Sequence, residues 1–184
     1  MPHLRLALAA GGLLLALPTL SSCGFDYPTE RENTIGAGVT ERDALVDVGG
    51  AKIVAGQPNK GTFIAAFTNN SDETISLTSI EGDEDAGNIR ADKFEALEVP
   101  PAGHVNTAAL AEEGDGITVS GTFEAGDFVT LTLDFDNDDS VTISIPVMKP
   151  CFYLEGLDTS ADEPSTDPLY SCESTEEAGA HSEE

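Results

Sequence analysis

The sequence predicts an all-β chain, an antiparallel β-sandwich placed between an N-terminal leader and an acidic C-terminal tail. Strict apolar–polar alternation runs through Val129-Thr130-Leu131-Thr132-Leu133-Asp134-Phe135 and again through Val141-Thr142-Ile143-Ser144-Ile145-Pro146-Val147. From residue 43 onward, short β-branched segments are each ended by a cluster of Gly, Asn or Pro. No stretch carries the apolar period of a long helix.

The elements follow in order. Ala44 to Val48 stops at Gly49-Gly50, and Ala51 to Ala55 stops at the turn-forming stretch Gly56 to Gly61. Thr62 to Thr68 ends at Asn69-Asn70-Ser71-Asp72, and Thr74 to Thr78 leads into the acidic loop Glu81 to Asp85. Phe94 to Val99 is halted by Pro100-Pro101-Ala102-Gly103, and Gly116 to Gly121 follows. The last two strands flank Asp136-Asn137-Asp138-Asp139-Ser140, which reads as a hairpin with one buried face. Val129, Leu131, Leu133 and Phe135 then face inward opposite Val141, Ile143, Ile145 and Val147. Each such burial contributes about 1.5–3 kcal/mol before entropy is counted. Residues 43–150 are therefore assigned to an immunoglobulin/cupredoxin-like β-sandwich.

The chain opens with His3 and Arg5, then an apolar run from Leu6 to Leu20. A positive charge, a run of about 15 apolar residues and then small residues are the layout of an export signal. The run is short for a membrane span, which needs about 20 residues. Leu20-Ser21-Ser22-Cys23 resembles the lipobox of bacterial lipoprotein signals, which implies cleavage after residue 22 and acylation of the Cys23 thiol. The alternative is an ordinary secretory signal with an incidental Cys. Residues 1–22 are thus assigned as signal peptide and 23–42 as a lipidated tether, which places the protein on the extracytoplasmic side of the cell membrane. Two acyl chains hold a protein where one does so only marginally.

The chain has three Cys, an odd count for an exported protein. Lipidation of Cys23 leaves Cys151 and Cys172, and an oxidising compartment favours their disulfide over a redox or metal-binding dithiol. Closing a loop of that length contributes roughly 3 kcal/mol on the chain-entropy model. Residues 151–184 form the tail. From Glu155 to Glu184 it holds ten acidic residues and neither Lys nor Arg, so it is expected to be disordered beyond the disulfide.

Across 184 residues, 34 Asp and Glu face 8 Lys and Arg, for a net charge of −26. Binding nucleic acid through phosphates needs clustered cations, so that class is excluded. The same charge opposes anionic lipid headgroups, leaving the acyl anchor as the membrane contact. Three His, two Met and no Trp leave little for a transition-metal cage.

Gly121 to Phe135 with Ser140 to Val147 resembles the C-terminal hairpin of the PCu(A)C copper-chaperone family, Ile145-Pro146-Val147 standing where that family has Val-Pro-Val. Thr62 to Asn70 resembles its alanine-rich strand ending in Asn-Asn, and Pro101-Ala102-Gly103-His104-Val105 its Pro-Ala-Gly-Gly turn. The chain is also similar to exported lipoproteins of high-GC Gram-positive bacteria that share the domain. The resemblance covers roughly residues 44–148 and implies the sandwich fold. That family binds copper(I) through His and Met, including a His-x-Met segment between the turn and the last hairpin. Here the segment is Asp115-Gly116-Ile117-Thr118-Val119-Ser120, so no copper ligand carries over.

Asp134 to Asp139 has alternating oxygens like a Ca²⁺ loop, but Asp139 stands where the sixth-position Gly belongs and Ile145 where the closing Glu belongs. A polar hairpin turn is the simpler reading. No Gly-x-Ser-x-Gly elbow is present, and no catalytic residue, metal ligand or cofactor is expected. The function expected is a non-enzymatic binding or interaction module of the cell envelope, its partner an envelope protein or small ligand. The alternative is a divergent copper chaperone with a site remodelled from His104, Met148 and tail carboxylates.

If Cys23 carries the anchor, Cys23→Ala moves the protein from the membrane to the soluble fraction and its mass loses the acyl groups. A variant that stays membrane-bound with unchanged lipid mass refutes the assignment.

Overall fold

The computed structural model describes residues 38–82, 87–160 and 165–172. The chain divides into two compact units, Met1–Thr34 and Ile35–Glu184, and every described residue belongs to the second. The signal peptide, Cys23, most of the tether, Asp83 to Asp85 of the acidic loop and His181 lie outside the described residues.

Among the described residues the elements are β1 (Val39–Glu41), β2 (Val46–Gln57), β3 (Lys60–Asn69), β4 (Ile75–Gly82), β5 (Arg90–Ala91), β6 (Leu97–Val99), β7 (His104–Asn106), α1 (Thr107–Glu113), β8 (Ile117–Ser120), β9 (Phe128–Phe135) and β10 (Ser140–Met148). Single 3-10 turns follow at Phe152–Leu154 and Pro168–Tyr170. The strands are hydrogen-bonded in the order β1-β2-β10-β9-β4-β5-β8-β3-β7, with β6 on β4. A further pairing of β2 with β3 joins the path to itself, so the sheet closes around its core. One pairing departs from the expected antiparallel pattern: β10 lies parallel to β2, with Val147 opposite Ile53 and Met148 opposite Val54.

The hairpin has the register that the alternation predicts. Val141 faces Leu133, Ile143 faces Leu131, and Ile145 faces Val129. All eight inward positions are buried. Phe67 of β3 meets Phe135 edge-on at 6.3 Å and Phe63 at 6.4 Å, so the alanine-rich strand and the last hairpin share one core.

Gly49-Gly50 is not the turn that the sequence suggested. β2 runs through it for 12 residues as one strand. Gly49 pairs with Ala66 and Lys52 with Ile64, so β2 carries an extra residue there, a β-bulge. Gly50 adopts φ 62°, a left-handed conformation that costs glycine little. β1 lies against the bulge, with Val39 opposite Ala51, and a Cβ on Gly38 would collide with the Gly50 carbonyl. A strand of the folded body, Val39–Glu41, thus lies inside what the sequence assigned as tether.

Asn69, the first residue of the Asn-Asn pair, is buried and uses its whole amide. Its Nδ2 donates to the carbonyls of Glu73 (2.7 Å) and Val99 (3.0 Å), and its Oδ1 accepts from the Ser71 amide (2.9 Å) and hydroxyl (2.8 Å). The helix went unread because its seven residues show no clear period. Asn106 caps it by accepting from the Ala108 amide, and Gly114 ends it at φ 91°. The buried Thr107 hydroxyl accepts from the Ala65 amide at 2.9 Å, fixing α1 to β3.

Lys52 is buried beside the bulge, and desolvation lowers its pKa from the ordinary 10.5. The unfolded chain then binds this proton more tightly than the folded one. The resulting destabilisation is full below the folded pKa and is relieved as pH rises to 10.5. Lys52→Met is therefore expected to raise the melting temperature by a few degrees at pH 7, with the gap to the parent narrowing toward pH 10.5. Thermal denaturation across that range checks it, and a gap independent of pH refutes it.

Candidate functional site

Within the disulfide loop, where the sequence suggested an acidic segment able to bury little, the described residues 151–160 and 165–172 form a packed strap, whereas the stretch beyond Cys172 lies outside the described residues. Leu154 and Leu157 are buried with Val54, Ile64 and Ala111 in a second apolar cluster, against which Met148 packs. Asp158 then ties the strap to the sheet. Its Oδ2 accepts from the Gly56 amide (2.6 Å), and its Oδ1 from the hydroxyls of Thr62 (3.2 Å) and Ser160 (2.6 Å) and from the Ser160 amide (3.0 Å). The Thr62 hydroxyl, wholly buried, also accepts from the Thr159 amide at 2.8 Å. A carboxylate with this many donors fixes the backbone around it.

The expected pair Cys151–Cys172 is bonded, with its Cα atoms 5.5 Å apart. Lys149 Nζ donates to the Ser171 carbonyl at 3.1 Å, a second tie across the same closure. Tyr170, one turn earlier, is buried, and burial pushes its phenol above the usual range. The Ala125 backbone opposes that rise, while the charges of Glu124, Asp167 and Asp127 add to it. The phenol oxygen approaches the Ala125 backbone without a well-formed hydrogen bond.

The bridge borders a groove of about 500 Å³, lined by Gly126, Val147, Met148, Phe152, Tyr153 and Leu154 among others. Phe152 is 80% exposed and Tyr153 63%. Phe152 sits at φ 58°, a conformation that a Cβ-bearing residue seldom adopts. Cys151, with its disulfide, precedes it, and Leu154, buried in the second cluster, follows two residues later. The turn is thereby held with its two rings outward. Neither Phe152, Tyr153 nor Asp158 was singled out from the sequence. The signal available was Phe152-Tyr153-Leu154, an apolar triplet in an otherwise acidic stretch.

A second cleft, of about 810 Å³, lies between Lys93–Glu98 and the Gly114–Ile117 turn after α1. It opens on the start of the segment where the family resemblance would place His-x-Met. Its charged lining is Lys93, Glu95, Glu98 and Asp115, with no soft ligand.

His104 and Met148 are not brought together. His104 faces Thr68 on β3, whereas Met148 faces Val54, which in turn faces Thr62. Six residues of β3 separate the two levels, about 20 Å of strand. His104 is exposed and Met148 packs against the second apolar cluster. Among the described residues no group of three or more His, Cys, Asp and Glu is disposed to hold a metal. Several Asp134–Asp139 oxygens are engaged by β4 and by the turn: Asp136 Oδ1 accepts from the Ser76 amide (2.9 Å), Asp134 Oδ2 from the Ser79 hydroxyl (2.6 Å) and Asn137 Oδ1 from the Asp139 amide (3.1 Å). The Ser76 bond holds the Asp136 carboxyl below its ordinary pKa.

No family model and no curated protein matches the chain. Solved structures similar to it include the apo PCuAC domain from PmoF1, at TM-score 0.46 and 16% identity, covering 59% of this chain and 98% of that one. The copper-bound PCuAC domain from PmoF2 is similar at TM-score 0.44 and 16% identity, covering 60% and 97%. The apo PmoF2 PCuAC domain matches at TM-score 0.47 and 16% identity, covering 61% and 96%. At these identities the likeness is one of fold.

Removing the Asp158 carboxylate leaves the Gly56 amide and the Thr62 hydroxyl without that acceptor. Asp158→Ala is expected to cost about 1–3 kcal/mol and to speed amide exchange at Gly56 and Thr159. Chemical denaturation and hydrogen exchange check it. An unchanged exchange rate at both amides means that the carboxylate does not hold the strap.

Proposed function

We propose that this chain is a lipid-anchored, extracytoplasmic β-sandwich that acts in the cell envelope by binding rather than by catalysis. The observation that carries this reading is the pair of exposed rings, Phe152 and Tyr153, held outward beside an apolar groove by a disulfide-closed strap. Large rings kept in water and fixed in place are inexpensive anchors for a partner, since little freedom remains to be lost on binding. The export signal and Cys23 support the location.

A second reading is a copper(I) carrier, because the PmoF2 domain of similar fold is copper-bound. What the described residues offer copper(I) is sparse: an exposed His104 and, about 20 Å of strand away, a thioether packed on apolar side chains. The two Cys of the body are oxidised. Carboxylates in the second cleft are hard donors and favour hard cations over copper(I).

Two measurements on the full chain decide between the readings. Cross-linking in intact cells is expected to trap the membrane-bound chain on an envelope partner. Competition against a copper(I) chelator under anaerobic, non-reducing conditions is expected to leave the chain metal-free at submicromolar free copper. Stoichiometric copper retention, with loss of that copper in His104→Ala or Met148→Leu, replaces the binding reading with the carrier.

A further inference from the structure

Acidic residues adjoin in sequence the segments that line the groove beside the disulfide. Gly126 of its wall is followed directly by Asp127 and preceded two residues earlier by Glu124, and Asp127 Oδ2 accepts from the Glu124 amide at 2.9 Å, which fixes that carboxylate in place. Glu155 follows Leu154 directly, and all three acids are exposed. Asp167 caps the 3-10 turn that leads into Ser171 and Cys172, its Oδ1 accepting from the Leu169 amide at 2.9 Å. The charges of Glu124, Asp127 and Asp167 each act on the Tyr170 phenol. The cation in the groove wall, Lys149, is engaged with the Ser171 carbonyl.

Rings accompanied by carboxylates select a particular partner. An anionic or purely apolar surface would have to desolvate or repel these acids, and a net charge of −26 disfavours anionic lipid at longer range. A guanidinium or ammonium can rest on an aromatic face and meet a carboxylate at once, while apolar neighbours fill the groove floor. The segment 173–184 that continues from Cys172 carries Glu173, Glu176, Glu177, Glu183 and Glu184 with no Lys or Arg, so its charge is wrong for this groove.

We propose that the groove between Gly126 and the Phe152–Tyr153 turn docks a basic, apolar-interrupted peptide segment of an envelope protein, with Phe152 and Tyr153 as anchors and Glu124, Asp127, Glu155 and Asp167 as its charge complement. This rests on the binding reading above and supplies the chemistry of the partner. These acids speed encounter and make the association salt-dependent.

The test is fluorescence anisotropy of the full chain with a labelled peptide alternating Arg and Leu. The comparison probes are a peptide alternating Glu and Leu, an Arg-Ser peptide, and neutral and anionic phospholipid vesicles. The Arg-Leu peptide is expected to bind in preference to the others and to weaken as NaCl is raised. Phe152→Ala with Tyr153→Ala is expected to weaken it about tenfold or more, as is Glu124→Gln with Asp127→Asn. Circular dichroism shows whether each variant keeps its fold, and both rings are exposed enough for that to be expected. The proposal is overturned if the Arg-Leu peptide fails to bind, if the Glu-Leu peptide binds equally, if the aromatic variant binds as the parent does, or if vesicles are the probe that these variants lose. A cellular partner retained by the aromatic variant overturns this inference and leaves the binding reading standing. A parent chain that traps no partner fails that reading, whatever the peptide does.

Discussion

Strand β2 bonds to β1, β3 and β10, and the closure of the sheet depends on its doing so. A strand has two hydrogen-bonding edges, so three partners require one edge to be divided along its length. β1 takes the stretch from Val48 to Ala51, and β10 takes Ile53 and Val54, leaving the other edge to β3. The bulge at Gly49-Gly50 lies at this changeover. An extra residue there increases the local bend and twist, which turns the second half of β2 toward β10. The absence of a Cβ on Gly38 lets β1 approach as closely as the geometry needs. Without the division, β10 would leave an open edge of unpaired amides and carbonyls at the end of the hairpin.

The closure also explains why the strap has somewhere to lie. The parallel contact carries the end of β10 alongside Ile53 and Val54, so the chain leaves the hairpin near Gly56 and Thr62. Asp158 meets both of those residues, and Leu154 and Leu157 cover Val54 and Ile64. An acidic segment is ordinarily solvated because each carboxylate loses hydration on docking. Here one carboxylate regains its hydrogen bonds from fixed donors, and two leucines add apolar burial. The disulfide limits the freedom that the strap must surrender.

Much of the body was legible in the sequence, because its strongest signals are local. Alternation over β9 and β10 fixes which residues point inward, and the register follows from the turn between them. The pairing of Cys151 with Cys172 followed from counting. The misreadings share a cause: each concerns a residue whose role is set by distant chain. Gly49-Gly50 has the composition of a turn, and only β1 lying across it makes it a bulge. Asp158 looks like one more solvated acid until Gly56 and Thr62 are beside it, about a hundred residues away in sequence. His104 and Met148 were grouped as candidate ligands because both residue types suit copper. Composition does not show that they lie level with opposite ends of β3.

The same distinction bears on what the fold implies for chemistry. The core that makes the sandwich is built from β2, β3, β4, β6, β8, β9 and β10, and these residues would serve any ligand or none. Specific recognition resides in the segments that the core displays: the turn after α1, the Lys93–Glu98 stretch and the strap. In this chain the first two present carboxylates and one ammonium, whereas the strap presents two rings on a braced turn. Bracing is what separates the rings from an incidental exposed apolar pair. A free Phe-Tyr in a tail could collapse onto any nearby apolar surface. Here Cys151 is tied to Cys172, Leu154 is buried, and Phe152 is held at a positive φ between them. A side chain kept out of the core by covalent and packing constraints, at a conformational cost of order 1–3 kcal/mol, is more readily explained by contact with something outside the chain than by the stability of the chain itself.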